Sequence, residues 1–74
     1  MKATDVVREI MRNQEVGLNK VADRMGKTPR LVSDRLSQDN ISIAKLNELL
    51  KVLDYKIMVV PRDAKRPAGS YDVE

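Results

Sequence analysis

Apolar side chains recur at helical spacing over the first 54 positions of this chain, in four segments. The segments lie at about residues 4–14, 17–25, 28–37 and 42–54, and in each the apolar residues return every three or four positions. That spacing predicts helices with one buried face, and hence an all-α bundle of four to five helices. The predicted buried positions are Val6, Val7, Ile10 and Met11, then Val21, Ala22 and Met25, then Val32 and Leu36, then Ile43, Leu46, Leu49, Leu50 and Leu53.

The polar residues at the borders of these segments are typical of helix ends. Thr4, Thr28 and Ser42 each precede an apolar run, and a hydroxyl there can accept a hydrogen bond from an unpaired backbone N–H. Pro29 follows Thr28, where proline loses only an N–H that has no helical partner. Gly26 follows the second stripe and tolerates the left-handed backbone that ends a helix. The second and third helices are therefore predicted to be joined by a tight turn.

The pattern changes after the fourth helix. Residues 55–60 are β-branched or bulky, and Pro61 ends the run, which predicts a short strand. Alternation would place Tyr55, Ile57 and Val59 on one face, against the end of the fourth helix. The alternative is that this segment extends the helix or frays. Residues 61–74 hold balanced charges with proline, glycine and serine, so we expect a disordered tail after a domain of residues 1–60.

Size and composition exclude several classes of protein. The chain has 74 residues, which bounds it to one domain. It contains neither cysteine nor histidine, so we expect no disulfide, no metal and no cofactor. An enzyme is not expected either, because there is no nucleophile–base pair and no glycine-rich phosphate loop. No apolar run approaches the roughly 18 residues of a membrane span and no secretory signal is visible, so a cytoplasmic protein without a membrane partner is expected.

Positive charge is concentrated in one part of the chain. The formal net charge is +3, and residues 17–37 hold five basic and two acidic residues, a difference of +3 that equals the whole net charge. A basic segment of this kind favours a polyanionic partner. The alternative is an ordinary solvated surface.

The same segment resembles a known DNA-binding family. It reads VGLNKVADRMGKTPRLVS from Val16 to Ser33, with a small Ala22 in the second helix, Gly26 in the turn and Thr28 as the cap. In that order these features resemble the Cro/repressor-type (xenobiotic-response-element-like) helix-turn-helix family, over residues 4–54. The resemblance implies a lambda-repressor-like bundle that binds duplex DNA as a dimer on a palindromic operator. It also implies a bacterial or phage-encoded transcriptional regulator, a repressor or autoregulator.

Three positions depart from what is usual in that family. Leu18 stands where a glutamine often contacts phosphate, and Pro29 stands where a polar residue often reads a base. Arg35 stands where many members have an apolar residue. We therefore expect fewer direct base contacts than usual.

The third helix, at about residues 28–37, is the predicted recognition helix. With Val32 directed inward, a rotation of about 100° per residue directs Arg30, Ser33, Asp34 and Ser37 outward. Arg30 could read guanine, and Asp34 could accept from cytosine N4 or orient Arg30. The alternative is a surface ion pair between these two residues, within a plain helical hairpin. The predicted phosphate contacts are Asn19, Lys20, Lys27, Thr28 and Asn40.

Two protein partners besides DNA are compatible with the sequence: a second copy of this chain and a toxin. A lone strand leaves its backbone groups unpaired, so we expect a homodimer in which residues 55–60 pair antiparallel with a second copy. The dimerisation residues are then Tyr55, Ile57, Met58 and Val59. The alternative function is that of an antitoxin of a toxin–antitoxin operon, which binds DNA and also binds its toxin through the tail at residues 62–74. A third class is a purely structural interaction module.

Overall fold

Four helices form the body of the protein in the computed structural model, which describes residues 1–73. They are α1 (Ala3–Gln14), α2 (Leu18–Met25), α3 (Pro29–Leu36) and α4 (Ile43–Lys51). The described residues contain no strand, so the expected all-α class is confirmed. The predicted disordered tail ends at Glu74, which lies outside the described residues.

All four helices contribute to one apolar core. The α3 helix packs against α1 and α2, and α4 packs against the same two helices. Almost all of the predicted apolar positions are buried or half-buried, which confirms the helical pattern. Ile43 is the exception: it was predicted to be buried, but it begins α4 and is 74% exposed. The largest fully buried side chains are Ile10, Leu49, Leu53, Val7, Val21 and Val32.

The helix starts follow the capping chemistry in two of three cases. The hydroxyls of Thr28 and Ser42 accept hydrogen bonds from the third backbone N–H of α3 and α4, each at 3.2 Å. The prediction that Thr4 caps α1 is wrong, because α1 begins one residue earlier and the Thr4 side chain is buried inside its first turn. At that end the backbone N–H of Lys2 donates to Asp5 Oδ2 at 3.2 Å. An acidic residue in the first turn can take over from a hydroxyl cap.

The α1 and α2 helices end in a residue with left-handed backbone geometry, and so does the turn that follows α4. These residues are Glu15 (φ 56°), Gly26 (φ 67°) and Asp54 (φ 61°). In each case the N–H of the next residue donates back to a carbonyl five positions earlier at 2.9 Å, which is the Schellman pattern. The chain therefore reverses direction sharply after α1, after α2 and after the turn that follows α4.

Residues 55–60 differ from the prediction. The chain leaves the helical conformation at Asp54, so the alternative that this segment extends α4 is wrong. The segment pairs with no other part of the chain that the structure describes and therefore forms no strand there. Val59 does not cover the end of α4, because its side chain is 97% exposed. A strand requires a pairing partner, and a single copy of this chain supplies none.

The described part of the tail folds back on the body. The ring of Tyr71 lies 6.1 Å from that of Tyr55, measured between centroids. The Tyr71 hydroxyl accepts a hydrogen bond from Asn13 Nδ2 of α1 at 2.8 Å, and the Tyr55 hydroxyl donates to the Gly69 carbonyl at 3.1 Å. The tail thereby covers part of α1 and the start of the 55–60 segment.

The Gly26 turn gives a direct stability test. Replacing Gly26 with alanine should lower the free energy of unfolding by about 1–2 kcal/mol, because a residue with a Cβ is strained at this φ. Steric overlap does not contribute, since no heavy atom lies within 4 Å of the added Cβ. Gly17→Ala is the matched control, because its site is equally open but its φ is −87°. Urea unfolding should show the control within about 0.5 kcal/mol of the parent; equal losses in both variants would contradict this account.

Candidate nucleic-acid interface

The α3 helix is held by one face and exposed on the other. Val32 and Leu36 are buried in the core, at 0% and 3% exposure. The four side chains predicted to face outward are all exposed, as the helical rotation requires: Arg30, Ser33, Asp34 and Ser37. A polar helix face of this kind, presented by a capped helix after a tight turn, has the shape that can enter a major groove.

Arg30 and Asp34 do not pair with each other. No ion pair joins them within residues 1–73, and neither side chain has a hydrogen-bond partner there. The alternative of a surface ion pair is therefore not what the structure contains. Ser37 is partly committed, because its hydroxyl donates to the Asp34 carbonyl at 2.8 Å and keeps only its acceptor capacity. The guanidinium of Arg30 and the carboxylate of Asp34 are both available to a ligand.

The side chains around α3 are also exposed. Lys20 lies on α2, Lys27 in the turn and Asn40 in the loop after α3, and none makes a side-chain hydrogen bond or an ion pair in the part of the chain that the structure describes. Asn19, beside Lys20, is likewise exposed. The oxygen of Thr28 is engaged in capping α3, which leaves its O–H as a donor. The structure thus surrounds the face of α3 with hydrogen-bond donors.

Arg35 has a different role from the other basic residues of this segment. Its side chain is only 13% exposed, and Nη1 lies 2.5 Å from Oε2 of Glu48 on α4. The hydrogen bond and charge of Arg35 hold the pKa of the Glu48 carboxyl below its ordinary value of 4.5, with weaker help from Lys27 and Lys45. This ion pair joins α3 to α4 and removes Arg35 from the set of free cations. It also accounts for the charge of Arg35, which stands at a position where the Cro/repressor-type family often has an apolar residue.

Polar side chains from α1 and α2 bind the carbonyl ends of the other helices. Arg8 Nη2 donates to the Leu36 carbonyl at the end of α3 at 2.9 Å, and Arg24 Nη1 donates to the Val52 carbonyl after α4 at 3.0 Å. Cationic groups are favourable at helix C-termini, where the dipole is negative. Sequence reasoning missed these contacts, because 28 residues separate the two partners in each.

The five cations of the basic segment, residues 17–37, have two different roles in the structure. Of its five cations, Arg24 and Arg35 are engaged in holding the fold, while Lys20, Lys27 and Arg30 remain exposed and unpaired within the described chain. The three free cations lie on α2, in the turn and on α3. Beside the two acidic residues of the segment, Asp23 and Asp34, three cations thus remain available to a ligand.

A shallow groove of about 300 Å³ borders the same face. Ser33 of α3 and Leu18 at the start of α2 line it together with Arg12 of α1. Arg12 Nη1 lies 2.6 Å from Glu9 Oε2, and its side chain is 73% exposed. Arg12 was not predicted as a site residue, and its cation lies close to the candidate interface only because α1 packs beside α3.

Residues 1–73 show neither a metal site nor a membrane-spanning helix. No group of three acidic, cysteine or histidine side chains there could hold a metal ion. None of the four helices combines the length and the apolar character needed to cross a bilayer. Comparisons with protein-family models, with curated proteins and with solved structures give no match. The resemblance to the Cro/repressor-type family thus stays a prediction, and the functional argument rests on the residues of this chain.

The Arg35–Glu48 contact predicts a pH-dependent effect on stability. Because the Glu48 pKa is lowered by folding, the contact stabilises the protein above pH 4.5, and that contribution is lost as the pH falls through the folded-state pKa. The parent should therefore exceed Glu48→Gln in stability near neutral pH, and the difference should shrink below about pH 4. Urea unfolding across this range measures it. In an Arg35→Met background, Glu48→Gln should leave the pH profile nearly unchanged; a persistent difference there would assign the effect to another partner.

Proposed function

We propose that this protein is a sequence-specific double-stranded DNA-binding transcriptional regulator, a repressor or autoregulator, in which α2, the turn at Gly26 and α3 act as a helix-turn-helix. The α3 helix is the recognition helix in this proposal. The observation that carries it is the exposed and unpaired polar face of α3, anchored by buried Val32 and Leu36 and flanked by the free cations Lys20 and Lys27.

Base reading is assigned to the centre of this face. Arg30 can donate two hydrogen bonds to guanine O6 and N7, and Ser33 can bond a base edge or a phosphate. Asp34 lies one helical turn after Arg30, and its carboxylate can accept from cytosine N4. An unpaired carboxylate on this face repels phosphates, so it disfavours non-specific contact with the DNA backbone. Asp34 therefore supports a site that reads bases over one that only attracts charge.

Backbone contacts are assigned to the rim of the interface. Lys20 and Lys27 can bind phosphates on either side of the groove that α3 enters. Asn19, Thr28 and Asn40 carry uncharged donors in the same region. Arg12 is a further candidate, because the groove that it lines also contains Ser33.

We also propose that the protein binds DNA as a homodimer joined through residues 55–60, which then form the predicted strand. The support is that residues 56–60 are exposed and that their backbone groups make no hydrogen bond within residues 1–73. A two-fold dimer would present two α3 helices to half-sites about 34 Å apart or a multiple of that spacing. A palindromic operator is the expected target.

Selection of bound sequences from random duplex DNA tests the proposal as a whole. We expect enrichment of a palindromic site with a guanine in each half. The proposal would be contradicted if the binding of DNA did not depend on the salt concentration, or if no sequence were enriched over random DNA.

Arg30→Ala tests base reading by α3. It should weaken binding to the selected site by about 1–3 kcal/mol and relax the preference at one base pair of each half-site. Arg62→Ala is the matched control, since Arg62 is also exposed but lies in the tail. Fluorescence anisotropy on the selected site and on single-base variants gives both quantities. An equal loss on every sequence would make Arg30 a phosphate contact, and no loss would remove it from the interface.

Lys20→Ala and Lys27→Ala test the phosphate contacts. Each should weaken binding about equally on all sequences and reduce the slope of log affinity against log salt by about 1, because one fewer counterion is released. Lys65→Ala, in the tail, should leave the slope unchanged. Titrations at four or more salt concentrations provide the measurement. A slope that does not change in Lys20→Ala or Lys27→Ala would exclude that lysine from phosphate binding.

A further inference from the structure

Most of the exposed apolar side chains lie around one groove. Eight large apolar residues are exposed in the described chain, and six of them line a groove of about 540 Å³ between α1, α4 and the carboxyl-terminal segment. Two of these are nearly or largely uncovered, Val59 at 97% and Ile43 at 74%. A contiguous apolar surface on so small a protein marks an interaction site. The six residues are Ile43, Ile57, Met58, Val59, Val60 and Val73.

The backbone beside this groove is also unsatisfied. From Lys56 to Val60 no N–H donates to, and no carbonyl accepts from, any group in residues 1–73. Unpaired extended backbone is a template for a further strand. Pairing satisfies these groups and covers the apolar side chains in one step, which a small apolar ligand in the groove could not do. The occupant indicated by both observations is therefore an extended peptide segment.

We propose that this occupant is residues 56–60 of a second copy, which pair antiparallel in a register centred on Met58, so that Lys56 lies opposite Val60 and Ile57 opposite Val59. The partner also covers Ile43 at the start of α4. This interface deepens the homodimer of the proposed function and rests on that function only for its use in spacing two α3 helices.

Symmetry limits the register to a few choices. In an antiparallel pair related by a two-fold axis, the axis passes midway between the two copies of one residue. This follows because side chains opposite each other must lie on the same face of the ribbon. Pro61 has no N–H and ends the ladder on one side, and Asp54 is left-handed and ends it on the other. Centring on Met58 pairs the whole of residues 56–60. Centring on Ile57 or Val59 leaves part of this segment unpaired or reaches beyond its ends.

Charge favours the same arrangement. Lys56 is the only charged residue from Tyr55 to Val60. A parallel in-register pair would place two Lys56 side chains side by side, and like charges directly opposite destabilise a sheet. The antiparallel register centred on Met58 separates them by four residues, or about 14 Å along the ribbon. That distance exceeds the screening length of about 8 Å at physiological salt, so their repulsion is small.

Single-cysteine variants test the register cleanly, because the natural chain has no cysteine. Met58→Cys should form an intermolecular disulfide on mild oxidation, since the two Cβ atoms would lie about 5 Å apart. Ile57→Cys and Val59→Cys should each cross-link poorly alone, because identical positions would be diagonal neighbours about 7–8 Å apart. An equal mixture of these two variants should give the heterodimeric cross-link, because residues 57 and 59 would be opposite each other.

The groove contact is tested by a charge at Ile43. Ile43→Glu should raise the monomer–dimer dissociation constant roughly tenfold or more, measured by sedimentation. Leu18→Glu is the matched control, because Leu18 is likewise the exposed apolar first residue of a helix but lies outside this groove. Acidic residues suit the first turn of a helix, so both variants should keep the fold, which circular dichroism verifies.

The outcomes separate this interface from DNA binding, because all measurements are made without DNA. A parent that sediments as a monomer at about 100 µM overturns the proposal, as does a dimer that Ile43→Glu leaves intact. Disulfide formation at position 57 or 59 alone, in place of position 58, overturns the register. A dimer with the expected cross-links that selects no DNA sequence would support the interface while contradicting the proposed function.

Discussion

The small size of the apolar core governs this structure. Twelve apolar residues are buried, and they come from all four helices and from the connections Val16 and Leu53. Each helix can therefore bury only one face. For α3 this means that Val32 and Leu36 fix its orientation while the opposite face stays in solvent. Residues 56–60 are left without cover, since the core is completed before the chain reaches them.

Polar contacts compensate for part of this limited core by fixing how the helices meet. Arg8 and Arg24 donate to carbonyls at the ends of α3 and α4, and Gln14 Nε2 does the same for the Leu53 carbonyl at 2.9 Å. The Arg35–Glu48 pair joins α3 to α4 directly. Because Ile43 begins α4, an interface at Ile43 would be connected to α3 through this ion pair. The geometry of the dimer, and with it the distance between two α3 helices, would then depend on α3 and α4 as one connected unit.

Much of the fold could be predicted from the sequence, because the strongest signals are local. The apolar stripes, the caps at Thr28 and Ser42 and the turn at Gly26 all depend on residues within a few positions of each other. The errors arose where local and tertiary effects compete. Ile43 fits the α4 stripe but lies at its first position, beyond the edge of the core, and Thr4 is a good cap residue that packing draws into the helix.

The candidate site was predictable only in outline. Helical rotation predicted the exposed face of α3. It could not predict which cations bind groups of the protein itself and which remain available to a ligand. Arg24 and Arg35 have partners 28 and 13 residues away, and such contacts leave no local signature. Residues 55–60 posed a different difficulty, because a strand needs a pairing partner and residues 1–73 of one copy supply none.

The left-handed residues at Glu15 and Asp54 have a consequence for how such a protein could change over time. A residue with a Cβ in this conformation retains about 1–2 kcal/mol of strain that glycine would not have. The fold is therefore below the stability that its own backbone allows, and single substitutions far from α3 could recover the difference. The stability gained by such a substitution would allow destabilising replacements elsewhere, for example on the exposed face of α3, to be tolerated. Substitutions at these two left-handed residues could in this way give the exposed face of α3 room to vary.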